Sequence, residues 1–305
     1  MVFFNALGGI IGLLLIVALG YLLYRLGWFP APCRQLIPRL VTNVALPPFL
    51  ATTIIARLSR DELGDLLKGA IPPALTMILL FLGAWLFAKL VRVPKTRVGV
   101  FCACVSNPNT IFIGIPVNLA LFGPDSIPYV LIYYFASTTF FWTVGNYFIS
   151  RDSPEAKAGI RWENILSPPI LGFIVGVVSI LCDIPWPRFI FKAAVMIGEL
   201  TTPLALLFVG VTLAAAGKIR IGRDLLFAAT GRLIISPLLF LSVAPFFDLP
   251  RFARDVFAIQ SSLPVVLQVS ILSAYYKADA EFGSEMVAFT TICCAFTTPL
   301  AMCLL

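Results

Sequence analysis

The sequence predicts an all-α polytopic membrane protein, and three observations lead there. Of 305 residues, 60% are hydrophobic and 12% charged, where an ordinary soluble domain carries about 25% charged residues. The mean hydropathy is +0.97. The apolar residues gather into blocks of about 20, the length that crosses a hydrocarbon core of about 30 Å. Little chain is left over for a soluble domain.

Apolar blocks read against charged and Pro/Gly punctuation predict ten spans. The first, 4–25, opens on "MVFFNALGGIIGLLL"; it lacks a basic n-region and reads as a retained span, not a cleaved signal. Spans two and three cover 38–56 and 69–91. Span four, 98–122, holds "CVSNPNTIFIGIPVNLALFG", and span five covers 127–149. The longest polar connection, Ser150 to Glu163, follows. Spans six to ten cover 164–182, 189–215, 225–246, 253–276 and 284–305.

The net charge of +7 does not indicate nucleic acid, because the basic residues lie in short clusters between apolar blocks. Fourteen of the 22 Lys and Arg fall on the side opposite the N-terminus and seven on the N-terminal side, with Arg232 left inside span eight. The positive-inside rule then places both termini outside and the mid-chain loop in the cytoplasm. The absence of histidine excludes histidine metal sites, relays and triads. The cysteines lie mostly within apolar blocks and read as small buried hydrophobes; Cys33 alone reads as loop-borne.

Prolines suggest that ten spans are two fives. Pro30 and Pro32 pair with Pro185 and Pro187; with one inserted residue, Pro47 pairs with Pro203, Pro94 with Pro250 and Pro108 with Pro264. An odd number of spans per repeat makes the repeats inverted, the plan of secondary transporters with sites on discontinuous helices. The division expected is 1–150 for the first repeat, 151–163 for a cytoplasmic loop and 164–305 for the second.

Span four should open at Pro108, which lacks an N–H. Ser106, Asn107, Asn109 and Thr110 surround it. Span nine repeats the arrangement in "IQSSLPVVLQVS", where Gln260, Ser261, Ser262 and Gln268 surround Pro264. If the spans cross, their second halves offer helix N-termini to an anion such as a carboxylate. The C-terminal ends of the first halves could hold a cation. The plainer reading is a pair of proline kinks whose amides bond neighbouring helices.

Glu199 is the one acidic residue well inside a span, and Asn43 is its repeat partner, each four residues before a proline. A carboxylate there is a candidate proton acceptor or Na⁺ ligand; the alternatives are a structural partner to a neighbouring helix or a shallower position. Gln260 is a second coupling-ion candidate. Arg232 is expected to snorkel to the cytoplasmic face, the alternatives being a substrate contact or a pair with Glu199. Asn146 should bond another helix.

"PNTIFIGIP", Pro108 to Pro116, resembles the fourth-helix motif of the auxin efflux carrier family. "LPVV…LSAYYKAD", Leu263 to Asp279, is similar to its ninth-helix segment, and "TTPLALLFVGVTLA", Thr201 to Ala214, to its seventh. The resemblance covers essentially the whole chain. It implies ten helices with crossed helices four and nine, in a fold similar to bile acid/sodium symporters. It implies scaffold helices within 1–56 and 164–215, transport-domain helices within 69–149 and 225–305, and an elevator-like movement. The family's asparagine beside the crossing proline, which helps bind a substrate carboxylate, falls on Asn109. The short mid-chain loop and the apolar Val265 and Val266 depart from the plant members and favour a bacterial relative in the inner membrane. A homodimer through scaffold helices fits the family.

The function expected is a secondary carrier of a small organic anion, embedded in lipid, with H⁺ or Na⁺ as coupling ion or with none, and no other cofactor. The alternative is a channel or a non-transporting receptor. No paired catalytic carboxylates, metal-ligand set or nucleophile–base motif points to an enzyme.

Overall fold

A computed structural model describes residues 2–30, 36–60, 64, 68–153, 168–216, 219–303 and 305; for residues 2–11 it describes the backbone helix alone. Cys33, Pro32 and the mid-chain loop beyond Ser153 lie outside the described residues, as do Arg34, Lys157, Arg161 and Lys218.

The described residues form helices joined by short connections, with one isolated antiparallel bridge and no strands. The helices are α1 (Val2–Arg25), α2 (Leu36–Arg57), α3 (Ile71–Leu90), α4 (Val98–Ser106), α5 (Gly114–Phe122), α6 (Pro124–Arg151), α7 (Pro168–Leu181), α8 (Arg188–Ala215), α9 (Arg223–Phe246), α10 (Arg251–Ser261), α11 (Gln268–Tyr275) and α12 (Ala280–Met302). Six of them, α2, α3, α6, α8, α9 and α12, are long and apolar enough to cross a membrane; α1 and α7 contribute shorter apolar stretches. Where spans four and nine were expected, the chain is broken into α4 and α5 and into α10 and α11.

Proline explains most irregularities. Pro47 and Pro203 each withhold the N–H that the carbonyl four residues back would accept. Those carbonyls belong to Asn43 and Glu199. At the first position α2 widens to a π turn over Val41–Ala45, and at the second the helical bonding of α8 breaks at Leu200. A further π turn, Gly231–Ile235, precedes Pro237 in α9.

The chain forms two compact units. The first comprises 1–68, 111–132 and 166–215; the second comprises 69–110, 133–165 and 216–305. In the first, α1 packs on α8, and α7 and the start of α8 pack on α2. The α1–α8 contact depends on missing side chains: a Cβ on Gly20 would lie 2.2 Å from the Leu207 oxygen, and one on Gly210 would lie 2.0 Å from the Val17 oxygen. Backbones this close are how small residues join membrane helices.

In the second unit α4 is enclosed, with every residue from Gly99 to Ser106 buried. Its N-terminus is held by Asp152, whose carboxylate accepts from the Gly99 and Val100 N–H groups, both at 2.9 Å. Burial pushes the Asp152 carboxyl up to about 6, against the opposing pull of those two N–H bonds. Arg97, just before α4, ties three helix starts together. Its Nε donates to Asp279 at 2.8 Å and its Nη1 to Asp224 at 2.9 Å. Burial alone would lower the Arg97 pKa; Asp279 and Asp224 outweigh it and raise it. Asp279 also caps α12 by accepting from the Phe282 N–H. A recess of ≈ 390 Å³ beside these pairs is lined by Arg220, Arg223, Glu281 and Glu285.

The outer face of α3 shows what the fold leaves uncovered. Thr76, Met77, Leu80, Phe81, Ala84 and Ala88 are buried, whereas Ile78, Leu79, Leu82, Leu86 and Leu90 are exposed. A helix apolar on both faces with one face uncovered suits lipid contact.

Candidate functional site

The interruption of α4 follows from covalent geometry. Pro108 cannot donate to the carbonyl of Cys104, and the residue before a proline is pushed out of the helical region. Asn107 accordingly sits at φ −112°, ψ 110°. Pro264 does the same to α10, which ends at Ser261. Both interruptions belong to the second unit and pair with each other. The Asn109 N–H donates to the Pro264 carbonyl at 2.8 Å, and the Val266 N–H donates to the Asn107 carbonyl at 3.1 Å. Pro108 stands opposite Val265 in this two-bond antiparallel bridge. The Val265 N–H is taken up by Thr290 Oγ1 of α12 at 3.1 Å. Three of the N–H groups opened by the interruptions are thus taken up by two carbonyls and one hydroxyl.

Ser106, Asn107, Asn109, Thr110, Ser261, Ser262 and Gln260 are all buried around this bridge, and Gln268 opens α11 half-buried. Their hydrogen bonds divide them. The hydroxyls turn back onto their own helices: Ser106 donates to the Cys102 carbonyl, Ser261 to that of Ala258 and Ser262 to that of Ile259. Such local bonds are the usual resource of serine in apolar surroundings. Asn107 Nδ2 donates to the Ala103 carbonyl and to Ser106 Oγ. The amide oxygen of Asn107, the Gln268 oxygen and both amide atoms of Gln260 are buried with no hydrogen-bond partner among the described residues. Buried amides are rarely left so, and these groups can receive a ligand with oxygen atoms or with donors.

The structure corrects two expectations. Arg232 does not snorkel: its side chain is 0% exposed. Its Nη1 donates to the Val105 carbonyl at 3.0 Å, and its Nη2 to Ser236 Oγ and the Ser261 carbonyl. Glu199 is not buried: it is exposed, in the first unit, and makes no ion pair among the described residues. Asn43, in the same unit, is also exposed, and its Oδ1 accepts from Thr42 Oγ1. Neither belongs to the unit that holds the Pro108–Val265 bridge. Among the cysteines, Cys102, Cys104 and Cys294 are buried, but Cys182 and Cys303 are exposed because they lie at helix ends. Asn146 bonds another helix as expected, accepting from the Tyr276 hydroxyl at 2.9 Å. Thr290 escaped sequence reasoning, since one threonine in an apolar helix gives no signal of its partner.

Three similar proteins bear on identity. An "Uncharacterized transporter" of Methanothermobacter thermautotrophicus is 24% identical over 306 residues, covering 98% of each chain. An "Uncharacterized transporter" of Methanocaldococcus jannaschii is 22% identical over 285 residues, 91% of this chain and 92% of the relative. A "Putative malonate transporter" of Rhizobium meliloti is 24% identical over 288 residues, 91% of this chain and 88% of the relative. Residues 6–302 match the family described as "Membrane transport protein", and on that near-complete match the chain belongs to this family of membrane transporters, the auxin-efflux-carrier type that its interrupted helices resemble.

Proposed function

We propose that the protein is a secondary carrier of a small organic anion, a carboxylate or dicarboxylate, with its site at the paired interruptions around Pro108 and Pro264. The observation that carries this reading is the cluster of buried amides at the bridge, with both Gln260 amide atoms and the Asn107 oxygen unmatched among the described residues. The N-terminus of α11 and the side chain of Asn109 are the groups offered to a carboxylate. The name of the Rhizobium meliloti relative agrees with a dicarboxylate.

In this reading ten spans form two inverted five-span repeats in a bacterial inner membrane, with both termini outside. Alternating access is elevator-like, and the division of the chain into two compact units supports it. The helices within 69–149 and 225–305 carry the substrate, those within 1–56 and 164–215 serve as scaffold and homodimer contact, and the coupling ion, where the cycle uses one, is H⁺ or Na⁺.

The test is a thermal-shift screen of purified protein against small mono- and dicarboxylates, with wild type beside Asn109→Ala. A carboxylate that stabilises wild type and not the variant is expected, followed by its counterflow in proteoliposomes. Stabilisation of both proteins to the same extent would remove Asn109 from the site. Flux far above carrier turnover without counterflow would replace the carrier with a channel.

A further inference from the structure

The last turns of α4 and α10 end beside one buried cation. A helix C-terminus carries unbonded carbonyls and about −0.5 of an elementary charge. Two such ends inside a membrane protein need a positive partner. Arg232 reaches both: Val105 is the penultimate residue of α4 and Ser261 the last of α10. Ser236 Oγ reinforces the second contact by donating to the same Ser261 carbonyl at 2.8 Å.

The local backbone brings the guanidinium there. Arg232 lies in the π turn Gly231–Ile235, and Gly231 sits against Val105, where a Cβ would stand 3.1 Å from its side chain. Arg232 makes no ion pair with a carboxylate among the described residues. Its neighbours are neutral: two carbonyls, Ser236 and the Tyr133 hydroxyl. The counter-charge of this arginine is thus the pair of helix ends. A planar guanidinium bonds the two carbonyls from two separate, fixed nitrogens, whereas an ammonium would have to reach both from a single point.

We propose that Arg232 is the resident cation of the crossing. It holds the place between the two half-helix ends that a coupling metal cation would otherwise take, so the crossing forms without Na⁺. The transport consequence rests on the carrier reading above; the binding consequence rests on geometry alone. Removing the side chain should convert the position into a site for a free guanidinium or a monovalent cation.

The experiment measures thermal stability of wild type, Arg232→Ala and Arg232→Lys in detergent, with no carboxylate present, in choline, sodium and guanidinium chloride at matched millimolar ionic strength. Wild type should melt at the same temperature in all three salts. Arg232→Ala should melt lower and recover by several degrees in guanidinium, saturably. Arg232→Lys should be intermediate, with no response to guanidinium. Stabilisation of wild type by Na⁺ over choline would overturn the proposal, as would an Arg232→Ala protein that melts like wild type or recovers in no cation. If Arg232→Ala cannot be purified, wild type and Arg232→Lys decide, and an Arg232→Lys protein as stable as wild type would count against the bridging role. With carboxylate absent, failure here leaves the carrier reading standing, and an empty carboxylate screen leaves this result standing.

Discussion

Gln260→Met should raise stability and weaken binding together. Gln260 lies in the last full turn of α10 with its side chain 0% exposed, and neither its Nε2 nor its Oε1 bonds a described group. A buried polar group without a partner costs about 1–3 kcal/mol, so the two atoms together carry a penalty of about 2–6 kcal/mol in the ligand-free protein. Methionine has nearly the same volume and flexibility and no such requirement. At roughly 2–4 °C per kcal/mol for chains of moderate size, the ligand-free variant should melt several degrees above wild type. A hydrogen bond from Nε2 to a carboxylate contributes about 1.5–3 kcal/mol, so the variant should bind the identified substrate about 10- to 150-fold more weakly. Differential scanning fluorimetry reads the first effect and radiolabelled substrate binding the second. A variant less stable than wild type without ligand would show that the amide is satisfied in the ligand-free protein. A variant with wild-type affinity would remove Gln260 from the site. Either result refutes the reasoning.

Gly210→Ala forces a Cβ to within 2.0 Å of the Val17 oxygen; overpacking of this kind costs about 1–3 kcal/mol, seen as a lower melting temperature. Gly83→Ala, with open space around its Cβ in α3, is the matched control and should be neutral or stabilising by about 0.5–1 kcal/mol. Glu199→Gln should leave the melting temperature unchanged, since an exposed side chain without an ion pair contributes within about 0.5 kcal/mol; a drop of several degrees would assign it a buried partner. Asp152 has a folded-state pKa raised to about 6 from 3.8. A raised carboxyl pKa means the folded protein holds the proton more tightly, so its stabilising contribution is full below about pH 4 and is lost as pH rises through about 6. Asp152→Asn should flatten the melting-temperature profile over that window, and an unchanged slope would place the titration elsewhere.

Much of the fold was legible because it rests on local causes. Apolar blocks near bilayer length set the helices, and Pro108 and Pro264 end α4 and α10 through a missing N–H and a restricted preceding residue. That geometry travels with the sequence whatever surrounds it. The Arg232 destination was not legible. A long stem at its depth can reach the membrane face or turn inward, and its partners are backbone carbonyls, 127 residues away at Val105 and 29 away at Ser261. Carbonyls are the same at every position and leave no mark in a sequence. Glu199 was misjudged for a related reason: position along a span gives depth, whereas burial depends on which side of the helix meets a neighbour.

The same distinction sorts the polar residues at the crossing. The sequence presents serines and amides there as one polar set, but reach separates them. A serine hydroxyl is short enough to close on a carbonyl three or four residues back, and Ser106, Ser261 and Ser262 all do so. They keep lone pairs to accept with but have committed their protons, so their first role is to seal the ends of opened helices. An amide cannot pair both of its ends on a single carbonyl. Asn107 bonds its nitrogen to its own helix, and its oxygen, like both ends of the longer Gln260, finds no partner among the described residues. Recognition at this crossing should therefore depend on amides more than on hydroxyls. Ser261→Ala, which removes only a helix-sealing donor, should shift substrate affinity far less than Gln260→Met. A serine variant that lost binding as completely as the glutamine variant would reverse that order and make the hydroxyls the ligands.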